Sequence, residues 1–250
     1  MDRQTEREVV IACVIGDGCL AQHGRWDSTW LQFKHCRAQL DYLLWKVKQI
    51  EATRLVRGKR FTVRDAVKYR HANGHEYALC TANKYGVKYF RILRKWLYPA
   101  GQKTPSRVLR YLNTPFTLAV LFMDDGCVEK RKRKHLDGTV YYLSPRLSLA
   151  FFQPEGESLE FLTWVATTFG VQGYPTLRKR KDVDAEPYYV LMFNSENSRL
   201  VWELIAPYVY QIPSMQRKFA YCIEYWGWPL STTEVARVPG DSFDKDESKI

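Results

Sequence analysis

Apolar and polar positions along this 250-residue chain follow periods that repeat between its halves. Two runs are apolar at nearly every position: Val10-Ile11-Ala12-Cys13-Val14-Ile15 and Leu118-Ala119-Val120-Leu121-Phe122-Met123. A helix that is apolar all round is a buried one. Thr5-Glu6-Arg7-Glu8 reads as the capped start of the first helix and Asn113-Thr114-Pro115 as that of the second. Each run closes on a carboxylate and a glycine, Asp17-Gly18 and Asp125-Gly126, where glycine stops a helix by accepting left-handed backbone angles.

After the first helix the period changes to two. Cys19–His23 and Thr29–His35 read as a hairpin turning near Gly24, with Leu31 and Phe33 inward and Gln32 and Lys34 outward. Gln39–Thr53 is amphipathic, carrying Leu40, Leu43, Leu44, Val47 and Ile50 on one face. Asn73-Gly74 signals a second hairpin, because a type I′ turn needs positive φ at both central residues. Pairing outward from it puts Val63, Val67, Tyr69, Ala78 and Cys80 on one face. Thr62, Arg64, Lys68, Arg70, His75 and Tyr77 fall on the other. Asn83–Leu97 reads as a closing helix.

The second half repeats this order. Cys127–His135 reads as a strand end and a flexible loop holding the basic run Lys130-Arg131-Lys132-Arg133-Lys134. Arg146–Phe152 is a strand with Leu147, Leu149 and Phe151 inward, and Glu157–Phe169 a helix ended by Gly170. Tyr174–Lys181 and Pro187–Asn194 form a hairpin with Tyr189, Leu191 and Phe193 on one side. Ser195–Tyr208 closes the half, and Gln216–Trp226, opened by Ile212-Pro213-Ser214-Met215, is a last helix. Asp17 and Asp125 stand 108 positions apart, and Cys19/Cys127 and Pro99/Pro207 keep the same offset. A recurring offset of this kind marks a duplication. The reading is α+β: two αββαββα units over residues 5–99 and 114–228, a linker over 100–113, and a polar, disordered tail over 229–250. Pseudo-two-fold symmetry would pack the two apolar helices together and bring Asp17 next to Asp125.

An acid in the last turn of an apolar helix is unusual, since the C-terminus already carries negative partial charge. One reading is a turn-capping Asp; the other is half of a hard-cation site, built twice. The net charge of +11 favours a polyanionic partner but also fits a solvated surface. The basic hairpin face leaves the same choice open. Six cysteines without a Cys-x-x-Cys pair indicate a reduced, intracellular protein. No apolar stretch approaches the ~20 residues that span a bilayer. His71, His75 and Cys80 lack a fourth ligand for zinc. Neither a phosphate-binding glycine loop nor a serine-histidine-acid set can be singled out.

The two motifs, Val-Ile-Ala-Cys-Val-Ile-Gly-Asp-Gly and Leu-Ala-Val-Leu-Phe-Met-Asp-Asp-Gly, resemble those of single-chain LAGLIDADG homing endonucleases, over about residues 5–226. Both keep the eighth-position Asp and lack an acid at the sixth, having Ile15 and Met123. The resemblance implies paired motif helices over two curved antiparallel sheets that form a DNA-binding saddle. It implies a divalent metal, Mg²⁺ or another such as Mn²⁺, on Asp17 and Asp125 and the carbonyls of Gly16 and Asp124. Lys103 and Lys218 then stand where the family places a lysine near each scissile phosphate; the alternative is two exposed surface lysines. Gln32 stands where relatives orient water, with Ala150 as its counterpart. Ala12 and Gly16 would allow close helix approach, while Val120 and Asp124 occupy the matching places.

Candidate DNA contacts are Lys34, Arg64, Lys68, Arg70, His75, Tyr77, Arg178 and Arg180, with Lys130, Arg131 and Lys132 on the loop. The implied protein is a monomeric, intron-encoded enzyme cutting double-stranded DNA, in a bacterial cytoplasm or an organelle. Two other readings stand: a maturase of the same fold binding its host intron RNA, and an inactive DNA-binding regulator.

Overall fold

The computed structural model describes residues 1–22, 29–58, 60–70, 76–151, 153–179 and 187–228. The Asn73-Gly74 turn, the turn near Gly24, His71, His75, Arg180 and the expected tail lie outside these residues.

The first unit runs α1 (Arg3–Ile15), β1 (Cys19–Ala21), β2 (Trp30–Cys36), α2 (Leu40–Glu51), β3 (Thr62–Arg70), β4 (Glu76–Lys84) and α3 (Lys88–Leu97). The second runs α4 (Pro115–Asp125), β5 (Gly126–Glu129), β6 (Lys132–Lys134), β7 (Val140–Tyr142) and β8 (Arg146–Phe151). It continues with α5 (Glu155–Phe169), β9 (Tyr174–Arg178), β10 (Tyr188–Met192) and α6 (Ser195–Val209). Helices α7 (Pro213–Lys218) and α8 (Ala220–Trp226) follow. The strand orders are β1-β2-β4-β3 and β5-β8-β10-β9, one antiparallel topology used twice. That is the expected α+β pair of αββαββα units, with β6 and β7 added as a separate two-stranded ribbon.

The duplicated helices α1 and α4 form the central seam, and Val9 to Ile15 and Phe116 to Met123 are buried along it. Carboxylates pin the seam at both ends. Near its start, the buried Glu8 of α1 reaches across to α4, its Oε1 accepting from the Asn113 and Thr114 amides at 3.1 and 2.7 Å. It also accepts from the Thr114 and Thr117 hydroxyls, both at 2.8 Å. The segment that leads into α4 is thus held by the other helix, and the Thr114 side chain makes no capping bond. Helix α1 itself is capped by Asp2, which accepts from the Gln4 and Thr5 amides, and so begins before Thr5.

Several boundaries and faces differ from the sequence reading. Strand β4 continues through Asn83 and Lys84, which pair with β2, so α3 begins only at Lys88. The last helix is two, α7 and α8, meeting at Phe219. In α2 the inward stripe is Tyr42, Leu43, Lys46, Val47 and Ile50, while Leu44 is 46% exposed. A lysine facing the core, paired with Asp124, rotates the stripe away from the all-apolar choice. The basic run is ordered, with β6 paired to β7 through Lys132↔Tyr142. Lys130 packs on the rings of Tyr142 and Tyr221, 4.7 and 4.9 Å from their centroids, which anchors the ribbon against α8.

The largest correction concerns β3. Its register against β4 shifts between Arg64 and Val67, a β-bulge. Before the shift Thr62 and Arg64 oppose Asn83 and Thr81; after it Lys68 and Arg70 oppose Ala78 and Glu76. The extra residue carries Lys68 and Arg70 to the face of Cys80 and Ala82, away from Arg64 and Tyr77.

Candidate metal centre

The C-termini of α1 and α4 end side by side and present Asp17 and Asp125. Neither following glycine takes a left-handed angle. Gly126 has φ −73° and ψ 151°, and Gly18 is not among the positive-φ glycines. They are required by close approach. A Cβ at Gly18 would strike the Cys13 carbonyl oxygen, and one at Gly126 the Phe122 carbonyl oxygen. The chain therefore leaves each helix hugging its last turn, which starts β1 and β5 directly beside the carboxylates.

Each helix end receives a lysine. Lys103 Nζ donates to the carbonyls of Val14, Gly16 and Gly18 at 2.9, 2.7 and 2.9 Å. Lys218 Nζ donates to those of Met123 and Asp124 at 2.7 and 3.0 Å. An ammonium here offsets the partial negative charge of the helix C-terminus. The two come from different local positions, Lys103 just before a 3₁₀ turn and Lys218 at the end of α7. Burial pushes both ammonium groups below the ordinary lysine range, while the nearby carboxylates hold them up.

Asp124 makes the seam asymmetric. A Cβ at Gly16 would overlap its Oδ2, so the carboxylate fills the notch that glycine leaves. There it accepts from the Asp17 amide at 2.8 Å, the Tyr42 hydroxyl at 2.7 Å and Lys46 Nζ at 2.8 Å. Both partners of the Lys46–Asp124 ion pair have fully buried side chains. The Lys46 ammonium lies 4.8 and 4.5 Å from the ring centroids of Phe33 and Tyr42. Burial pushes the Asp124 carboxyl up, but Lys46 and the hydrogen bonds outweigh it and hold the acid below the usual carboxylate range.

The two presented acids are in the opposite state. Burial, then the Asp124 charge, lifts the Asp17 carboxyl to about 7. The same two causes lift Asp125 to about 6. His35 Nδ1 lies 3.6 Å from Asp17 Oδ2. Burial, then Lys46, depresses its imidazole to about 3, so it is neutral. Ligand atoms of Asp17, His35 and Asp124 lie within 4.8 Å of one another. A cation already stands beside that trio, since Lys46 neutralises Asp124. The acids left wanting positive charge are Asp17 and Asp125.

The structure thus brings Asp17, Gly16, Lys103, Asp124, Asp125 and Lys218 to one seam. Gln32 sits in the strand beside it, its Nε2 donating to Asn83 Oδ1 at 2.9 Å. Its counterpart is Ser148 and not Ala150. Cys19 opposes Gln32 and Cys127 opposes Ser148, and the cysteines are the duplicated pair. Ala150 answers Lys34. Sequence reasoning missed His35, Tyr42, Lys46 and the Asp124 side chain. The signal for His35 was there, because the alternation that buries Leu31 and Phe33 buries His35 next.

Of the remaining predicted contacts, Lys34, Arg64 and Tyr77 lie outward on the first sheet by register. Arg178 reaches Glu129 at 3.2 Å. Lys132 is exposed on the ribbon, whereas Arg131 is committed to the Ser144 carbonyl and the Ser195 hydroxyl at 3.0 and 2.9 Å. Among the described residues no helix is long and apolar enough to cross a membrane.

The profile of the LAGLIDADG DNA endonuclease family matches residues 7–201. The fold is similar to that of the homing endonuclease I-WcaI bound to its DNA recognition sequence, with TM-score 0.61 and 18% identity over 86% of this chain and 85% of that one. A variant of I-DmoI, in complex with its target DNA and in the presence of Mn, aligns with TM-score 0.47 and 10% identity over 81% and 96% of the two chains. A search of curated proteins gives no match.

Proposed function

Because the chain belongs to the LAGLIDADG DNA endonuclease family, we propose that it is a monomeric, intron-encoded enzyme that hydrolyses phosphodiester bonds in double-stranded DNA at one extended site. The observation that carries this reading is the seam itself: two under-neutralised carboxylates, Asp17 and Asp125, beside outward helix carbonyls and two part-buried lysines. The donor set fits a hard divalent cation, Mg²⁺ or Mn²⁺, which prefers carboxylate and carbonyl oxygens. Asp17 and Asp125 would hold it with the carbonyls of Gly16 and Asp124. Those carbonyls have two lone pairs each, so a bond from Lys103 or Lys218 does not use them up. A bound divalent ion supplies charge for the phosphoryl oxygens and a more acidic water.

The chain's own groups do the positioning. Asp124 fixes the main chain at Asp17 by accepting its amide hydrogen. Lys103 and Lys218 place an ammonium beside each carboxylate, where it offsets charge growing on a phosphate oxygen. Gln32 offers an amide to orient water on the first side, and Ser148 a hydroxyl on the second. The DNA would lie on the outward sheet faces, with Lys34, Arg64, Tyr77 and Arg178 as contacts and Lys132 on the ribbon.

The test is incubation with a randomised-site DNA library and Mg²⁺, comparing the natural chain with Asp17→Asn and Asp125→Asn. The natural chain should release a defined set of cut sites, and both variants should retain those sites without cutting them. Binding without cleavage by the natural chain, or cleavage undiminished in both variants, overturns the reading.

A further inference from the structure

The two saddle faces are built from matched positions with different chemistry. Nearest the seam on the first sheet, Gln32 and Lys34 of β2 oppose Asn83 and Thr81 of β4, which in turn oppose Thr62 and Arg64 of β3. All six side chains offer hydrogen bonds and two are cations. On the second sheet Ser148 and Ala150 of β8 oppose Met192 and Val190 of β10, which oppose Tyr174 and Thr176 of β9. None of these six is charged, though the Arg178 guanidinium on the same face lies 3.9 Å from Met192 Sδ and pairs with Glu129 at 3.2 Å, covering Met192. The outward position of Val190 and Met192 is independently supported. Both are buried, yet neither belongs to the continuous core that holds their neighbours Leu191 and Phe193. The two floors also lie at equal depth, with Val190 7% exposed and its counterpart Thr81 9%. Ala150, between them and the edge of the sheet, is part-exposed.

We infer that the second half-site is read in part by apolar contact with thymine 5-methyl groups at the patch formed by Ala150 and Val190. This rests on the proposed function. In the major groove, hydrogen-bonding side chains read donor and acceptor patterns, whereas an alanine or a similar apolar group reads the thymine methyl. Gln32, Lys34, Asn83 and Arg64 have the means for the first kind of readout. Ala150 and Val190 have only the second. The two halves of the target therefore differ: the first sheet reads by hydrogen bonds alone, and the second adds a methyl-reading patch to its polar positions.

The experiment uses the full chain, Ca²⁺ to permit binding, and duplexes carrying a site recovered from the library. Deoxyuridine replaces thymine in one half-site or the other, removing only the methyl. Each methyl lost over the second sheet should weaken binding about three- to fivefold, the value of one buried methyl group. Replacement over the first sheet should leave the affinity within twofold. The variants Val190→Thr and Ala150→Ser, which keep the strand register, should lose most of that sensitivity. Tight binding with equal or no response to deoxyuridine in the two halves overturns this inference and leaves the nuclease reading standing. Failure to bind any recovered site overturns both.

Discussion

Asp124 occupies the space that a side chain at Gly16 would need. The relationship joins the two repeats at the ends that present Asp17 and Asp125, because the same carboxylate accepts the Asp17 amide. Gly16→Ala must therefore push Asp124 out of the seam or push the helices apart. Overpacking of a tight site costs about 1–3 kcal/mol, and the lost hydrogen bond adds to it. Urea denaturation should show a loss of about 2–4 kcal/mol for this variant. Adding Asp124→Ala to it frees the notch, so the double variant should be more stable than the sum of the two single losses predicts. Additive losses would show that the glycine is needed for some other reason.

Lys46 is the counterpart of that argument. Its ammonium and the Asp124 carboxylate are fully buried, and removing one member of such a pair leaves an uncompensated charge. Lys46→Met should cost about 3–5 kcal/mol in chemical denaturation. Removing both, as Lys46→Met with Asp124→Leu, should recover a large part of the loss, since an apolar pair of similar size is often neutral. A double variant as unstable as Lys46→Met alone would place the cost in packing against Phe33 and Tyr42.

These two relationships also show where the sequence stops being legible. The motif helices and the succession of helices and hairpins follow from period and repeat offset, because burial sets both patterns. Asp17 and Asp125 stood out for an electrostatic reason: an acid ending an apolar helix is out of place unless something positive meets it. Lys103 and Lys218 rested on family resemblance, since a lysine on a connector is ordinarily exposed. Lys46 was invisible because periodicity reads a lysine as outward, and only a carboxylate 78 positions away makes it an inward residue. The β3 bulge was hidden because Asp65 and Ala66 carry no marker of the extra residue. The Gly18 and Gly126 requirement was read as a backbone angle, when the need is for space next to a carbonyl.

The raised carboxyls give the seam a pH dependence of definite sign. Unfolded aspartates titrate near ~3.9, whereas Asp17 and Asp125 do so at about 7 and about 6. Groups raised by folding favour the folded state at low pH, and that contribution is lost as pH rises through the folded values. A divalent cation binds the ionised form and so competes with protons. The rise in Tm caused by Mg²⁺ should therefore be larger at about pH 8 than at about pH 5.5. Thermal denaturation with and without Mg²⁺ at both values checks it; equal shifts would take these two acids out of the cation site.

Lys103→Met and Lys218→Met separate positioning from binding. Each removes an ammonium that caps carbonyls beside one acid. Cleavage of a recovered site should fall by about a hundredfold to a thousandfold, the range for one lost electrostatic stabiliser. Affinity for the same DNA in Ca²⁺ should change little. A variant that loses binding and cleavage in proportion would show the lysine to be an ordinary phosphate contact.

The bulge in β3 makes the sharpest distinction among the basic residues. Arg64 precedes the register shift and shares the outward face with Lys34 and Tyr77, while Lys68 and Arg70 follow it and oppose Ala78 and Glu76. If DNA lies on the outward face, Lys34→Ala and Arg64→Ala should each weaken binding. Each should also reduce the slope of log affinity against log salt by about one, as expected for a lost phosphate contact. Lys68→Ala should leave both quantities nearly unchanged, although from charge alone it is indistinguishable from Arg64. Binding titrations at several salt concentrations decide the matter. Equal effects at Arg64 and Lys68 would mean that the DNA wraps the edge of the sheet instead of lying on one face.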